Sequence, residues 1–269
     1  MSRPRYGVDG WPYLAGLAAA TAALGSAALA APRLRKAAGA AALVPGVPAV
    51  LGLRYVLVGK LRLRDLLLGQ VDWRGDEEVV DLGTGTGLLA IGAAKRTRGA
   101  VHAVDLFVSK DLSNNGPERL ARNSLLDGVP ERLHVHRVDV RATGLPDGAA
   151  DVVVSSLCFH NLPEQHESTA ALDEAVRLLR PGGTLVLSNL AHVEDEYAPH
   201  LRAAGFSVLT SRAPATFPPQ KLLVARHLRR PTTASATAGS TAASPDSRPC
   251  WSGTSPLAAA LPGHPAPRS

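Results

Sequence analysis

EVVDLGTGTGL, residues Glu78 to Leu88, is the stretch on which the fold turns. Glu78 to Leu82 is a short apolar run closed by an acid. Glycines then stand at alternate positions, Gly83, Gly85 and Gly87, and a helical pattern begins. This is the pattern of a buried strand, a tight turn and a helix start. Glycine suits such a turn because the backbone must take angles that a side chain forbids, and because a ligand has to lie directly on it. What is missing narrows the ligand. A P-loop needs Lys followed by Ser or Thr, where this chain has Leu88 and Leu89, and the dinucleotide fingerprint needs a glycine at position 88. Asp105 closes the next apolar run, AVHAVD, 20 residues after Gly85. An acid at the tip of a second strand accepts hydrogen bonds from ribose hydroxyls. The pattern asks for a ligand with a ribose and without a diphosphate.

From Asp76 onward, strand and helix patterns alternate, which predicts a parallel sheet with helices on both faces. Helices are expected over Leu88 to Arg98, from Pro117 to Gly128, and over Ser168 to Arg180, the last cut by Pro181-Gly182-Gly183. Strands are expected at Ala100 to Asp105, Leu133 to Val138, Asp151 to Ser155 and Thr184 to Leu187. The polar loop LFVSKDLSNNGPE is longer than an ordinary strand-to-helix connection and is expected to fold over the ligand. Phe206 to Thr210 and Lys221 to Arg226 leave no room for a crossover helix, so they should pair antiparallel.

These elements resemble class I S-adenosylmethionine-dependent methyltransferases of the type 11 group. The resemblance rests on VVDLGTGTG, on Asp105, on the acidic VDV at Val138 to Val140, on DVVVSSLCFHN and on RLLRPGGTLVL, and covers roughly Asp76 to His227. It implies a doubly wound, mostly parallel, seven-stranded Rossmann-like α/β sheet with a terminal antiparallel strand, and S-adenosyl-L-methionine as cofactor. It also implies that Asp81 and the backbone of Gly83 and Gly85 hold the amino-acid portion of the methyl donor, Asp105 the ribose, and Asp139 with the Val140 amide the adenine edge. Thr84, Gly87, Leu106 and Ser155 are expected to belong to the same cofactor site. Asp139 has a second reading as a turn cap. Thr84 and Thr86 have one as turn residues.

The beginning of the chain is of another kind. Trp11 to Ala31 carries no charge, long enough at helical rise to cross a hydrocarbon core, and Ala37 to Val58 forms a second apolar stretch interrupted by Pro45 and Pro48. A helical hairpin is expected, with one span plus a surface-lying helix as the alternative. Lys60 to Trp73 reads as an amphipathic connector at headgroup level or as an ordinary packed helix. The domain organisation expected is therefore 1–59 hydrophobic helical membrane segment, 60–75 connector, 76–228 methyltransferase domain and 229–269 disordered tail, the last rich in Thr, Ala, Ser, Pro and Gly. The net charge of +6 falls largely beside apolar segments, at Arg33, Arg35, Lys36, Lys60, Arg62 and Arg64, so no nucleic-acid partner is read from it. With two cysteines, Cys158 and Cys250, neither a disulfide framework nor a metal site is expected.

Methyl transfer is an in-line displacement with an activated leaving group, so the protein mainly orients the reactants and excludes water. A base is needed only when the acceptor loses a proton. His160 is the candidate, in a loop beyond strand four; its alternative role is to cap the next segment together with Asn161. The Asn/Asp-Pro-Pro-aromatic signature of amine-directed enzymes is absent. The reading is a methyltransferase at the cell membrane, its catalytic domain on the cytoplasmic side, acting by O- or C-methylation on a small, apolar, lipid-like acceptor. An NAD-dependent oxidoreductase and a membrane-tethered, cofactor-binding scaffold without turnover are the alternatives.

Overall fold

The computed structural model describes residues 5–108, 112–162, 164–214 and 216–227. The tail expected from residue 229, with Cys250 and Trp251, lies outside the described residues.

Two long helices open the chain, α1 (Trp11–Ala30) and α2 (Arg35–Arg54), joined by a short turn at Pro32–Leu34. Each has 20 residues, about 30 Å at 1.5 Å per residue. They lie against one another where side chains are small: a Cβ at Gly52 would fall 2.4 Å from Leu14 Cδ2, and one at Gly46 would fall 3.3 Å from Thr21 Cγ2. Contrary to the expected interruption, α2 continues through Pro45 and Pro48. Proline gives up one N–H, but its fixed φ is compatible with a helix, and α1 packs alongside. No residue of α1 is buried, and in α2 only Pro45 and Gly52 are.

The second helix does not stop at the end of its apolar stretch. A π-helical turn at Tyr55–Gly59 carries it directly into α3 (Lys60–Leu68). Leu63, Leu67 and Leu68 of α3 are buried in the core of the following domain, which contributes roughly 1.5–3 kcal/mol per side chain. The segment at 60–68 is thus a packed helix of the domain, where it would have been freely amphipathic at a headgroup surface. It sits tightly on the first helix after the glycine turn, since a Cβ at Gly92 would meet Leu68 Cδ1 at 2.7 Å.

The remaining elements are β1 (Val79–Leu82), α4 (Leu88–Ala94), β2 (Val101–Val104), α5 (Pro117–Asp127), β3 (Leu133–His136), β4 (Ala150–Ser156), α6 (Gln165–Leu178), β5 (Leu179–Asn189), α7 (Ala198–Ala203), β6 (Phe206–Ala213) and β7 (Gln220–His227). They form one seven-stranded sheet in the order β3-β2-β1-β4-β5-β7-β6. Pairing from β3 to β5 is parallel; β7 runs antiparallel to both β5 and β6. One face of the sheet buries Leu67, Ile91 and Leu120 from α3, α4 and α5. The other buries Leu172, Leu178 and Leu201 from α6 and α7. The expected α/β architecture is what the chain adopts. Several boundaries differ: α4 stops at Ala94 and β3 at His136, short of the expected Arg98 and Val138, and β5 begins at Leu179, ahead of the Pro181-Gly182-Gly183 bend, because the start of the strand pairs with Ala150 before a register shift.

Candidate active site

The strand order reverses beside β1, with β2 on one side and β4 on the other, so a crevice opens at the carboxyl ends of these strands. The glycine turn sits there. Gly83 N–H and Thr84 N–H both donate to the Val104 carbonyl, at 2.9 and 3.0 Å, which ties the turn to the tip of β2. Gly83 has a φ of 78°, and a Cβ on it would lie 2.4 Å from both Cβ and Sγ of Cys158. No other residue fits. Asp81 stands behind the turn and accepts from Thr84 Oγ1 and from the Ala90 N–H, both at 2.9 Å, so it fastens the first turn of α4. Its burial, with the nearby charge of Asp105 adding to it, pushes the Asp81 carboxyl up to about 7, against hydrogen bonds from Thr84 and Ala90 that pull the other way. Asp105 accepts from Gly85 N–H at 2.7 Å.

Around this turn lies a cavity of about 360 Å³, within the span of small-molecule sites, roughly 300–1,000 Å³. Of the site residues expected from the sequence, Asp81, Gly83, Thr84, Gly85, Asp105, Leu106, Asp139 and Val140 line it together. Asp139 is a turn cap, its second reading, and a lining residue. It borders the cavity, and its Oδ1 accepts from the Arg141 N–H at 2.9 Å as in a side-chain-closed turn. Arg141 also bonds to the Asp139 carboxylate through its guanidinium and reaches Glu167, and this hydrogen bonding holds the Asp139 carboxyl below the usual carboxylate range.

Three expected residues stand off the cavity wall. Gly87 is the N-cap of α4. Ser155 is fully buried and donates to the Leu82 carbonyl at 2.7 Å, fixing β4 to β1. His160 lies in the short 3-10 turn Phe159–Asn161, which gives Asn161 to the lining, with Cys158 and Leu162 from either side.

The lining also includes residues to which the sequence gave no role in the site: Tyr6, Asp9, Tyr55 and Lys60. Lys60 is almost completely buried and spends its three N–H bonds on the strap before α1, at 3.0 Å to the Tyr6 carbonyl, 3.1 Å to the Gly7 carbonyl and 2.9 Å to Asp9 Oδ2. Asn123 of α5 links the same strap to the glycine turn. Its Nδ2 donates to the carbonyls of Arg5 and Thr86, and its Oδ1 accepts from the Arg5 N–H. Val8 and Ser113 exchange hydrogen bonds across the strap and the long loop after β2. The one cue in the sequence was a pair of charges, Asp9 and Lys60, at the two feet of the apolar stretches, and it also suits membrane-flanking charge.

A family model described as a methyltransferase domain matches residues 79–183. The ubiquinone/menaquinone biosynthesis C-methyltransferase of Vibrio parahaemolyticus is 29% identical over 136 residues, 48% of this chain and 50% of that protein. The 27-O-demethylrifamycin SV methyltransferase of Amycolatopsis mediterranei is 28% identical over 170 residues, 54% of this chain and 59% of that protein. The chain thus spans about half the length of the curated relatives it matches. Among solved structures, a geranyl diphosphate methyltransferase in complex with S-adenosylmethionine superposes with a TM-score of 0.54 at 15% identity, over 68% of this chain and 91% of that one. The fold is shared, and the matches support a class I S-adenosylmethionine-dependent methyltransferase domain in the strand–helix region.

Proposed function

We propose that the chain is a membrane-anchored methyltransferase that uses S-adenosyl-L-methionine to methylate oxygen or carbon of a small apolar acceptor. The observation that carries the donor is the charge of the cavity. Four carboxylates, Asp81, Asp105, Asp139 and Glu167, line it beside the mutually neutralised Asp9–Lys60 pair, against one further cation, Arg141, already ion-paired. Such a wall suits a sulfonium with an ammonium group and repels the diphosphate of a dinucleotide. Asp81 and the backbone of Gly83 and Gly85 would hold the amino-acid end, Asp105 the ribose, and Val140 with Asp139 the adenine. When bound, the donor supplies an electrophilic methyl group. The chain's residues orient the two reactants and keep water out.

The anchor is α1 with α2. Their length matches the hydrocarbon core, and Leu29, Leu43, Val44, Val47, Val50 and Leu53 stand exposed on them. Both feet of the hairpin, residues 9–10 and 55, meet at the cavity, so the catalytic domain would rest on the cytoplasmic surface where the donor is made. A lipid-soluble acceptor suits this layout, and the two named relatives act, by their names, on a quinone precursor pathway and on a rifamycin. Titration calorimetry of the full chain in detergent tests the donor. Binding of S-adenosylhomocysteine and none of NAD is expected; the reverse would overturn the reading.

A further inference from the structure

Outside the residues expected to hold the donor, the cavity lining offers a tyrosine hydroxyl, Tyr55, and a carboxylate, Asp9. Tyr55 is buried, and its hydroxyl accepts from Gln220 Nε2 at 2.9 Å. Gln220 is fixed in turn, because Ser188 Oγ donates to its Oε1 at 3.1 Å and shares a hydrogen bond with Ser156 Oγ at 2.8 Å. A phenol has an ordinary pKa near 10, so Tyr55 keeps its proton at neutral pH and has it to give. Asp9 lies close enough for its charge to act on Tyr55. Lys60 has no N–H left, so it positions the strap and contributes no further donor. Val108, Leu112 and Leu162 add apolar surface to the same cavity.

We infer that Tyr55 and Asp9 form the acceptor subsite and that it takes the hydroxyl of a lipid-soluble phenol or enol. The inference rests on the methyltransferase reading. A hydroxyl is the group that matches such a pair, since its oxygen accepts from Tyr55 while its proton points to Asp9. As the oxygen–methyl bond forms, the sulfur–methyl bond breaks and the sulfonium becomes a neutral thioether. The hydroxyl proton, made strongly acidic by methylation, passes to the Asp9 carboxylate and from there to water. Asp9 thus takes the part expected of His160. Because Tyr55 continues the helix of the anchor, the acceptor reaches the subsite along the hairpin without leaving the apolar phase.

The test uses the full chain in liposomes, a long-chain 4-alkylphenol as probe and its methyl ether as control. Calorimetry with S-adenosylhomocysteine comes first: no binding by the wild type would refute the methyltransferase reading, and this inference with it. With that complex formed, the phenol should bind at least about 10-fold tighter than the ether. Tyr55→Phe should remove most of that preference, and Asp9→Asn should lower label transfer from methyl-tritiated donor about 10²-fold, on the scale of general-base help. In both variants the affinity for S-adenosylhomocysteine should stay near the wild-type value, which shows that the fold survives, while the melting temperature falls, because Asp9→Asn leaves the buried Lys60 without its carboxylate and Tyr55→Phe leaves Gln220 Nε2 without its acceptor. A wild type that binds the donor product but treats phenol and ether alike overturns the subsite. So does a pair of variants that bind and methylate the phenol as well as the wild type.

Discussion

α1 and α4 are both alanine-rich helices of apolar composition, and they end in opposite surroundings. Six of the seven residues of α4 are buried between the sheet and α3, whereas none of the 20 residues of α1 is. The apolar residues of α4 are used up within the chain. Those of α1 and α2 are left facing outward, more than a water-exposed surface normally carries. The difference teaches that one continuous helix passes from an outward-facing apolar half to a half packed in the domain between Arg54 and Lys60, and under the proposed anchoring that is where the membrane boundary runs. The largest effect should follow from removing the outward-facing half. Replacing residues 11–54 by a short Gly-Ser linker joins Gly10 to Tyr55 and leaves both feet of the hairpin in place. The full chain should sediment with membranes and resist high salt, and the shortened one should move almost entirely to the soluble fraction while still binding S-adenosylhomocysteine. A full chain that is soluble without detergent would break the comparison.

The same boundary can be sharpened with single substitutions. Leu67→Ala in α3 leaves a cavity under the sheet and should cost about 2–5 kcal/mol of unfolding free energy, whereas Leu43→Ala in α2 should leave the domain's chemical denaturation midpoint unchanged. Equal effects would mean that α2 and α3 belong to one cooperative unit.

Much of this was legible in the sequence. The glycines at 83, 85 and 87, the acid at 105 and the run of valines at 152–154 each have one economical explanation, a buried parallel strand feeding a ligand turn. The mostly parallel sheet and eight of the residues that line the cavity follow from that. The part of the lining made by Asp9 and Lys60 was not legible, for a physical reason. Asp9 and Lys60 lie 51 positions apart and meet only because α1 and α2 fold back on each other, and a charge beside an apolar run reads locally as membrane-flanking. Local pattern was also blind to Ser155, whose hydroxyl goes to the Leu82 carbonyl. Alternation places such a residue on a face but does not say what it bonds.

Two smaller effects concern the donor side. Asp105→Ala should weaken S-adenosylhomocysteine binding by about 1.5–3 kcal/mol, the scale of hydrogen bonds to a charged acceptor, and unchanged affinity by calorimetry would remove Asp105 from the site. Asp81 gives a pH dependence. Its folded value of about 7 lies above the ordinary 3.8 because of burial and the charge of Asp105. The native domain therefore keeps a proton that the unfolded chain has already released. The stability from this group is fully present below the unfolded value and is lost as pH rises through 7. The cationic donor favours the ionised form, so donor affinity should rise, by up to about tenfold, between pH 6 and pH 8 as domain stability falls. Asp81→Asn should flatten both curves; a slope that survives in that variant assigns it to another group.

The most direct measurement of the central claim is label transfer. The full chain in liposomes is given methyl-tritiated S-adenosylmethionine and a total membrane extract, and the products are separated into organic-soluble, protein and nucleic-acid fractions. Label should enter a small organic-soluble product, and much less of it when residues 11–54 are replaced by the linker. Label in protein or nucleic acid instead, or equal labelling by the two forms of the chain, would contradict a membrane-fed methyltransferase.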